Sequence, residues 1–170
     1  MSSPAESRRL ERRRRLTNQA DGSTLVMLMD RKYYVLIADD SAEDRFFLKR
    51  CIQRDVPRLE VVGEVGDGEQ VIAYLSGQGA YSDRKRFPYP DLLLLDWWMP
   101  RADGVDVLHW LRVHQVPRMK VAVLASQISD QEKEVAISLG VSYFYGKVPT
   151  ASESAWMLRT LEAELDTNHR

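Results

Sequence analysis

Residues 91–100 read DLLLLDWWMP: four consecutive leucines bracketed by Asp91 and Asp96, then two tryptophans and a proline. An unbroken apolar run of that length is what a strand covered on both faces looks like, so 91–96 is read as a buried strand ending on an acid. The same alternation of short apolar runs and helical segments continues outward in both directions. Upstream, YYVLIA at 33–38 is a strand and 42–54 a helix, with Phe47, Leu48, Cys51 and Ile52 at three- and four-residue spacing. A second strand follows at 59–65, then a helix at 68–76 that breaks at Gly77 and Gly79, then the polar loop YSDRKRFPYP at 81–90. Downstream, 104–114 is a helix turning Val105, Leu108 and Leu111 inward, and KVAVLA at 120–125 is a strand. A helix at 130–139, capped by Asp130 and stopped by Gly140, precedes a fifth strand at 141–146. The last helix spans 152–165, with Ser152 as its cap and Leu158, Leu161 and Leu165 on one face.

Five strand–helix units in succession require crossover connections, and therefore a parallel sheet with helices on both faces: a doubly wound α/β fold of (βα)5 type. The 170 residues, 44% of them apolar, suffice for one such core with a segment to spare. That segment is 1–31, read as a basic, disordered extension in which 4–19 forms at most a transient helix; the folded domain is 32–166, and 167–170 is a tail. Residues 1–29 hold six arginines against Glu6, Glu11 and Asp21, a local charge of +3, so a total of −1 leaves −4 for the rest. The run Arg8–Arg15 is read as a solvated tail, and no helix-turn-helix accompanies it, so nucleic-acid binding is not expected. The single cysteine, Cys51, excludes a disulfide framework and a multi-cysteine zinc site, and its apolar surroundings mark it as a buried small hydrophobe. No apolar run approaches the ~20 residues of a membrane span, and the N-terminal stretch lacks the apolar core of a secretory signal. The expectation is a soluble, cytoplasmic protein without a membrane partner.

In a sheet of this kind ligands bind beyond the carboxyl ends of the strands, so the function should be written in the residues found there. After the first strand come Asp39 and Asp40, with Glu43 and Asp44 nearby; the third ends at Asp96, the fourth leads into Ser126, and the fifth into Lys147. Each has a plain structural reading: Asp40 or Ser41 as a helix cap, Glu43 and Asp44 as first-turn acids favoured by the helix dipole, Ser126 as a turn residue, Lys147 as a solvated charge. Together they say more. Carboxylates converging within a few Å repel one another unless a cation lies between them, and an all-oxygen set favours a hard ion such as Mg²⁺. Asp96, at the centre, is then the candidate nucleophile for a phosphoryl group, with Lys147 and Ser126 placed to meet its oxygens.

DD at 39–40, DLLLLDWWMP with Gly104 eight residues after Asp96, LAS ending at 126 and YFYGK ending at 147 together resemble a response-regulator receiver domain over roughly residues 33–166. That resemblance implies the flavodoxin-like arrangement of chemotaxis receivers. It implies Asp96 as phosphoacceptor, Asp39, Asp40 and Asp96 with the backbone carbonyl of Trp98 as Mg²⁺ ligands, Lys147 as the basic residue on the phosphoryl group, and Ser126 and Phe144 as the switch pair. The kinase partner is implied to be a sensor histidine kinase. The loop YLSGQGAYSDRKRFPYP narrows the likeness to stand-alone receivers that serve phytochrome-like kinases, and the last two helices with the fifth strand are implied as a homodimer surface. The chain departs from the family pattern in three places: Val148 stands between Lys147 and Pro149, Gln127 follows the switch hydroxyl, and Trp98 is bulky. Two rival readings are a receiver-like module that works without phosphorylation and an aspartate-nucleophile phosphatase of the haloacid-dehalogenase type. The latter wants a DxD pattern that ADDSAED does not supply. Among the tryptophans, Trp110 is read as packing and Trp156, off the leucine stripe, as an exposed interface residue.

Overall fold

The computed structural model describes residues 31–114, 116, 119–141, 143–147 and 150–167. The chain divides at Arg31/Lys32, and the description concerns the Lys32–Arg170 unit. Residues 1–30 of the expected extension 1–31, with its helix at 4–19, and the Val148-Pro149 departure lie outside the described residues.

Strands β1 (Tyr33–Ala38), β2 (Leu59–Val65), β3 (Leu92–Asp96), β4 (Lys120–Ala125) and β5 (Tyr143–Gly146) alternate with helices α1 (Ala42–Asp55), α2 (Gly68–Ser76), α3 (Gly104–Val113), α4 (Asp130–Ser138) and α5 (Ala151–Thr167). The strands form one parallel sheet in the order β2-β1-β3-β4-β5. This is the doubly wound architecture expected from the alternation of apolar runs, in the flavodoxin-like arrangement that the resemblance implies. Its order reverses at β1: the chain first steps outward to β2, then crosses to β3 on the other side. The crevice between the carboxyl ends of β1 and β3 is the switch point where such sheets bind ligands.

The period-two geometry of the strands sorts their side chains into two cores. Leu36, Leu93, Leu95, Val121 and Val123 pack with α2, α3 and α4 on one face. Val35, Ile37, Leu92, Leu94, Ala122 and Leu124 pack with α1 and α5 on the other. All four leucines of β3 are fully buried, each contributing about 1.5–3 kcal/mol of apolar burial, so the run that decided the reading also anchors both layers. Cys51 is buried in α1, as expected, and Trp110 is half-buried, stacked on His114 with ring centroids 4.2 Å apart.

Element ends differ from expectation where hydrogen bonds decide them. Ser129, not Asp130, caps α4: its hydroxyl accepts from Glu132 N while the Glu132 carboxylate returns to Ser129 N. Strand β5 begins at Tyr143 rather than 141, because Val141 N is still bonded to Ala136 O in the turn that ends α4, where Gly140 takes φ 101°. Helix α5 starts at Ala151, one residue before the expected cap Ser152; the Thr150 hydroxyl accepts from Glu153 N at 3.3 Å and donates to its carboxylate at 2.6 Å. In α3 the deepest residues are Val107 and Leu108, with Val105 and Leu111 only half-buried. The 77–91 loop is folded down by Arg84, which donates to Tyr74 O and Leu75 O at the end of α2, beneath a cluster of Tyr74, Tyr81 and Phe87.

Candidate functional site

The candidate residues arrive at the site on four strands: Asp39 and Asp40 after β1, Asp96 at the end of β3, Ser126 after β4 and Lys147 after β5. The β1 ladder extends one step beyond Ala38, with Asp39 N bonded to Val65 O at 3.1 Å, and this places Asp39 at the crevice. Strand β3 ends on Asp96, and Lys147 N bonds Ala125 O at 3.1 Å, setting the lysine beside the end of β4. Ser41 caps α1 by accepting from Asp44 N, and its own N–H donates to Asp39 Oδ1 at 2.9 Å, fixing that carboxylate's rotation. Gly104 starts α3 against the same end of β3: a Cβ there would lie 3.1 Å from the Trp97 ring and 3.2 Å from Asp96 O. The missing side chain lets the start of α3 approach the end of β3 closely.

Asp39 is 1% exposed and Asp96 3%. With the exposed Asp40 they offer carboxylate oxygens that all lie within 4.8 Å of one another. The Lys147 ammonium stands at 3.0 Å from Asp39 Oδ2, 3.0 Å from Asp96 Oδ2 and 3.1 Å from Asp44 Oδ2. Burial pushes the Asp39 and Asp96 carboxyls above the usual carboxylate range; Lys147 pulls both down, and the charge of Asp39 further raises Asp96. Burial alone would lower the lysine, but the three carboxylates around it, Asp39, Asp96 and Asp44, outweigh it and hold the ammonium well above its ordinary value.

Asp39 Oδ2, although close to Lys147, receives no hydrogen bond of good geometry, and it is a fully buried carboxylate oxygen. A buried acceptor left open in an all-carboxylate cluster fits a hard divalent cation better than a proton donor. The donor set therefore suits Mg²⁺.

Ser126 is exposed and does not bond these groups, yet it lines the same pocket of about 250 Å³ with Asp39, Asp44 and Lys147. Phe144 is half-buried against the α2–α4 core, paired in register with Val123. The Trp98 N–H donates to Asp96 Oδ1 at 3.4 Å, and its exposed indole reaches the carbonyl of Gln127 at 3.3 Å, joining the loops that follow β3 and β4. Two partnerships were not visible in the sequence. Asp44, read as a first-turn acid, contacts Lys147 across the site. Trp97 is buried with its indole N–H donating to Glu132 Oε1 at 3.2 Å, which ties the residue after Asp96 to the capping box of α4. Both contacts join residues far apart in the chain, so no local spacing announces them.

Known proteins match this arrangement. A family model described as the response regulator receiver domain matches residues 35–154. A protein-glutamate methylesterase/protein-glutamine glutaminase of Syntrophomonas wolfei is 32% identical over 132 residues, covering 77% of this chain but 34% of that protein. The chain thus spans about a third of the length of that curated relative. The phosphorylated cyanobacterial phytochrome response regulator RcpA is similar with TM-score 0.67 and 26% identity, over 77% of this chain and 91% of that one. Response regulator RPA3017, in red light signaling of R. palustris, is similar with TM-score 0.64 and 29% identity, over 76% and 90%. Strand order, the acidic crevice at the switch point and a family match over most of its length lead to one conclusion: the chain belongs to the response regulator receiver domain family.

Proposed function

We propose that this receiver takes a phosphoryl group onto Asp96 from the phosphohistidine of a sensor histidine kinase in the cytoplasm, and signals by changing a protein-binding surface. The observation that carries this reading is the cluster itself: a buried Asp96 that shares one ammonium with a second buried carboxylate at the switch point of the sheet. Asp39, Asp40, Asp96 and the backbone carbonyl of Trp98 would hold Mg²⁺, which would supply positive charge against the phosphoryl oxygens. Asp96 supplies the attacking carboxylate oxygen, and Lys147, already 3.0 Å away, meets the charge that the phosphoryl group brings. Ser126, exposed at the rim, turns inward to donate to a phosphoryl oxygen, and the space it leaves favours an inward Phe144. That exchange biases the surface of α4, β5 and α5, on which Ile137 and Trp156 stand exposed. The same surface serves a homodimer. Similarity to a phytochrome response regulator and to a response regulator of red light signaling supports a phytochrome-type kinase as phosphoryl donor.

Incubation with Mg²⁺ and radiolabelled acetyl phosphate should label the wild-type chain, and Asp96→Asn should reduce the label to background. Equal labelling of the two would refute Asp96 as acceptor. Absence of label from the wild type under both acetyl phosphate and kinase would favour a receiver that works without phosphorylation.

A further inference from the structure

Lys147 has one carboxylate more than it needs to bridge Asp39 and Asp96. Asp44 Oδ2 lies 3.1 Å from its ammonium, and Asp44 is the third residue of α1. An acid at that position normally folds back onto the backbone N–H of the cap, as Asp106 does in α3 and Glu132 in α4. In α1 that N–H belongs to Ser41 and is already taken by Asp39 Oδ1. The Asp44 carboxylate is thereby released to reach from α1 to the end of β5. The site then holds four carboxylates, Asp39, Asp40, Asp44 and Asp96, against one ammonium, and the buried Asp39 Oδ2 still lacks a hydrogen bond.

We propose that Asp44 is a positioning residue that restrains phosphoryl uptake: by holding a share of the Lys147 ammonium, it keeps the mouth of the site one charge more negative toward anionic phosphoryl donors. The proposal rests on Asp96 as the phosphoacceptor. In the step concerned, an Asp96 carboxylate oxygen forms a P–O bond as the P–O bond to acetate breaks, and acetate leaves with the bonding electrons; no proton or redox partner is consumed. Through Lys147 the Asp44 oxygen is at most about 6 Å from Asp96 Oδ2, where one charge in a partly solvated site changes a rate by roughly 3- to 10-fold. Asp39 and Asp96 suffice to hold the lysine in place, so removing Asp44 frees charge without freeing the side chain.

The full chain, at saturating Mg²⁺, is assayed for phosphoryl uptake as wild type, Asp44→Asn, Asp44→Glu and the remote control Asp55→Asn. Asp44→Asn should take up phosphoryl from acetyl phosphate roughly 3- to 10-fold faster at low donor concentration, mainly through a lower half-saturation. The gain should be smaller with phosphoramidate, which carries one negative charge fewer at neutral pH. Asp44→Glu should restore the wild-type rate, and Asp55→Asn should not alter it. Tryptophan fluorescence should report several-fold weaker Mg²⁺ binding to Asp44→Asn, since a negative charge has been removed near the cluster. Unchanged or slower uptake by Asp44→Asn with both donors overturns the proposal, as does an equal gain with both. Persistent labelling of Asp96→Asn would instead defeat the phosphoacceptor reading, so the two failures are separable.

Discussion

Asp96 lies among apolar neighbours with a second buried carboxylate beside it, and Lys147 answers only part of their combined charge. Burial first, then Asp39, raises its carboxyl against the pull of Lys147. A carboxyl whose folded-state pKa is raised favours the fold while protonated, and that contribution is lost as pH rises through the folded value. At neutral pH the ionised Asp96 therefore costs stability. Asp96→Asn should melt a few degrees above the wild type in the absence of divalent cations. Millimolar Mg²⁺ should raise the wild-type melting temperature and narrow that gap, by linkage to the folded state. Calorimetry with and without Mg²⁺ checks both, and a variant that melts lower without metal would contradict the repulsion argued for the cluster. These residues were legible in the sequence because each follows, or ends, an apolar run at the same sheet edge. Asp44 was not: its first-turn position fits dipole stabilisation equally well, and only the occupied N–H of Ser41 redirects it.

Helix α2 shows how a cap joins an element to the loop beside the site. Asp67, fully buried, accepts from Gln70 N at 2.8 Å and is paired with Arg101, which follows β3 and has φ 65°. Burial would raise this carboxyl, but Arg101 and Gln70 together hold it below the usual carboxylate range. The sign is opposite to that of Asp96: the stability is present above the unfolded value of about 3.9 and disappears as pH falls through the folded one. Asp67→Asn should lose about 1–2 kcal/mol at neutral pH by urea unfolding, and the difference from wild type should shrink below about pH 4. A gap that stays constant with pH would assign the loss to packing rather than to the ion pair. Strands β1 to β4 were legible because their apolar runs coincide with the ladder. The start of β5 and the caps of α4 and α5 were not, since Val141, Ser129 and Thr150 are assigned by hydrogen bonds that neighbouring residues of the same types offer equally well in sequence.

Across the whole molecule, two apolar layers clamp the sheet and leave its carboxyl edge polar. Opposite that edge, Arg58 joins Glu162 and Asp166 of α5, and the Tyr33 hydroxyl also donates to Asp166, so the start of β1 and the end of α5 are tied together. Far from that staple, Trp156 is 65% exposed on α5, edge-on to Tyr145 of β5. A phosphoryl group on Asp96 would have a packed sheet through which to bias α4, β5 and α5, and the Trp97–Glu132 hydrogen bond would be a second link to α4. On the proposed function, a single carboxylate in the switch-point crevice becomes an acyl phosphate. That step is tested most directly by reacting the wild-type chain with acetyl phosphate and Mg²⁺, reducing the acyl phosphate with borohydride, and sequencing the peptides by mass spectrometry. Homoserine should replace aspartate at Asp96 and nowhere else, and only when Mg²⁺ is present; reduction at Asp39 or Asp40, or product formed equally in chelator, would refute Asp96 as the acceptor.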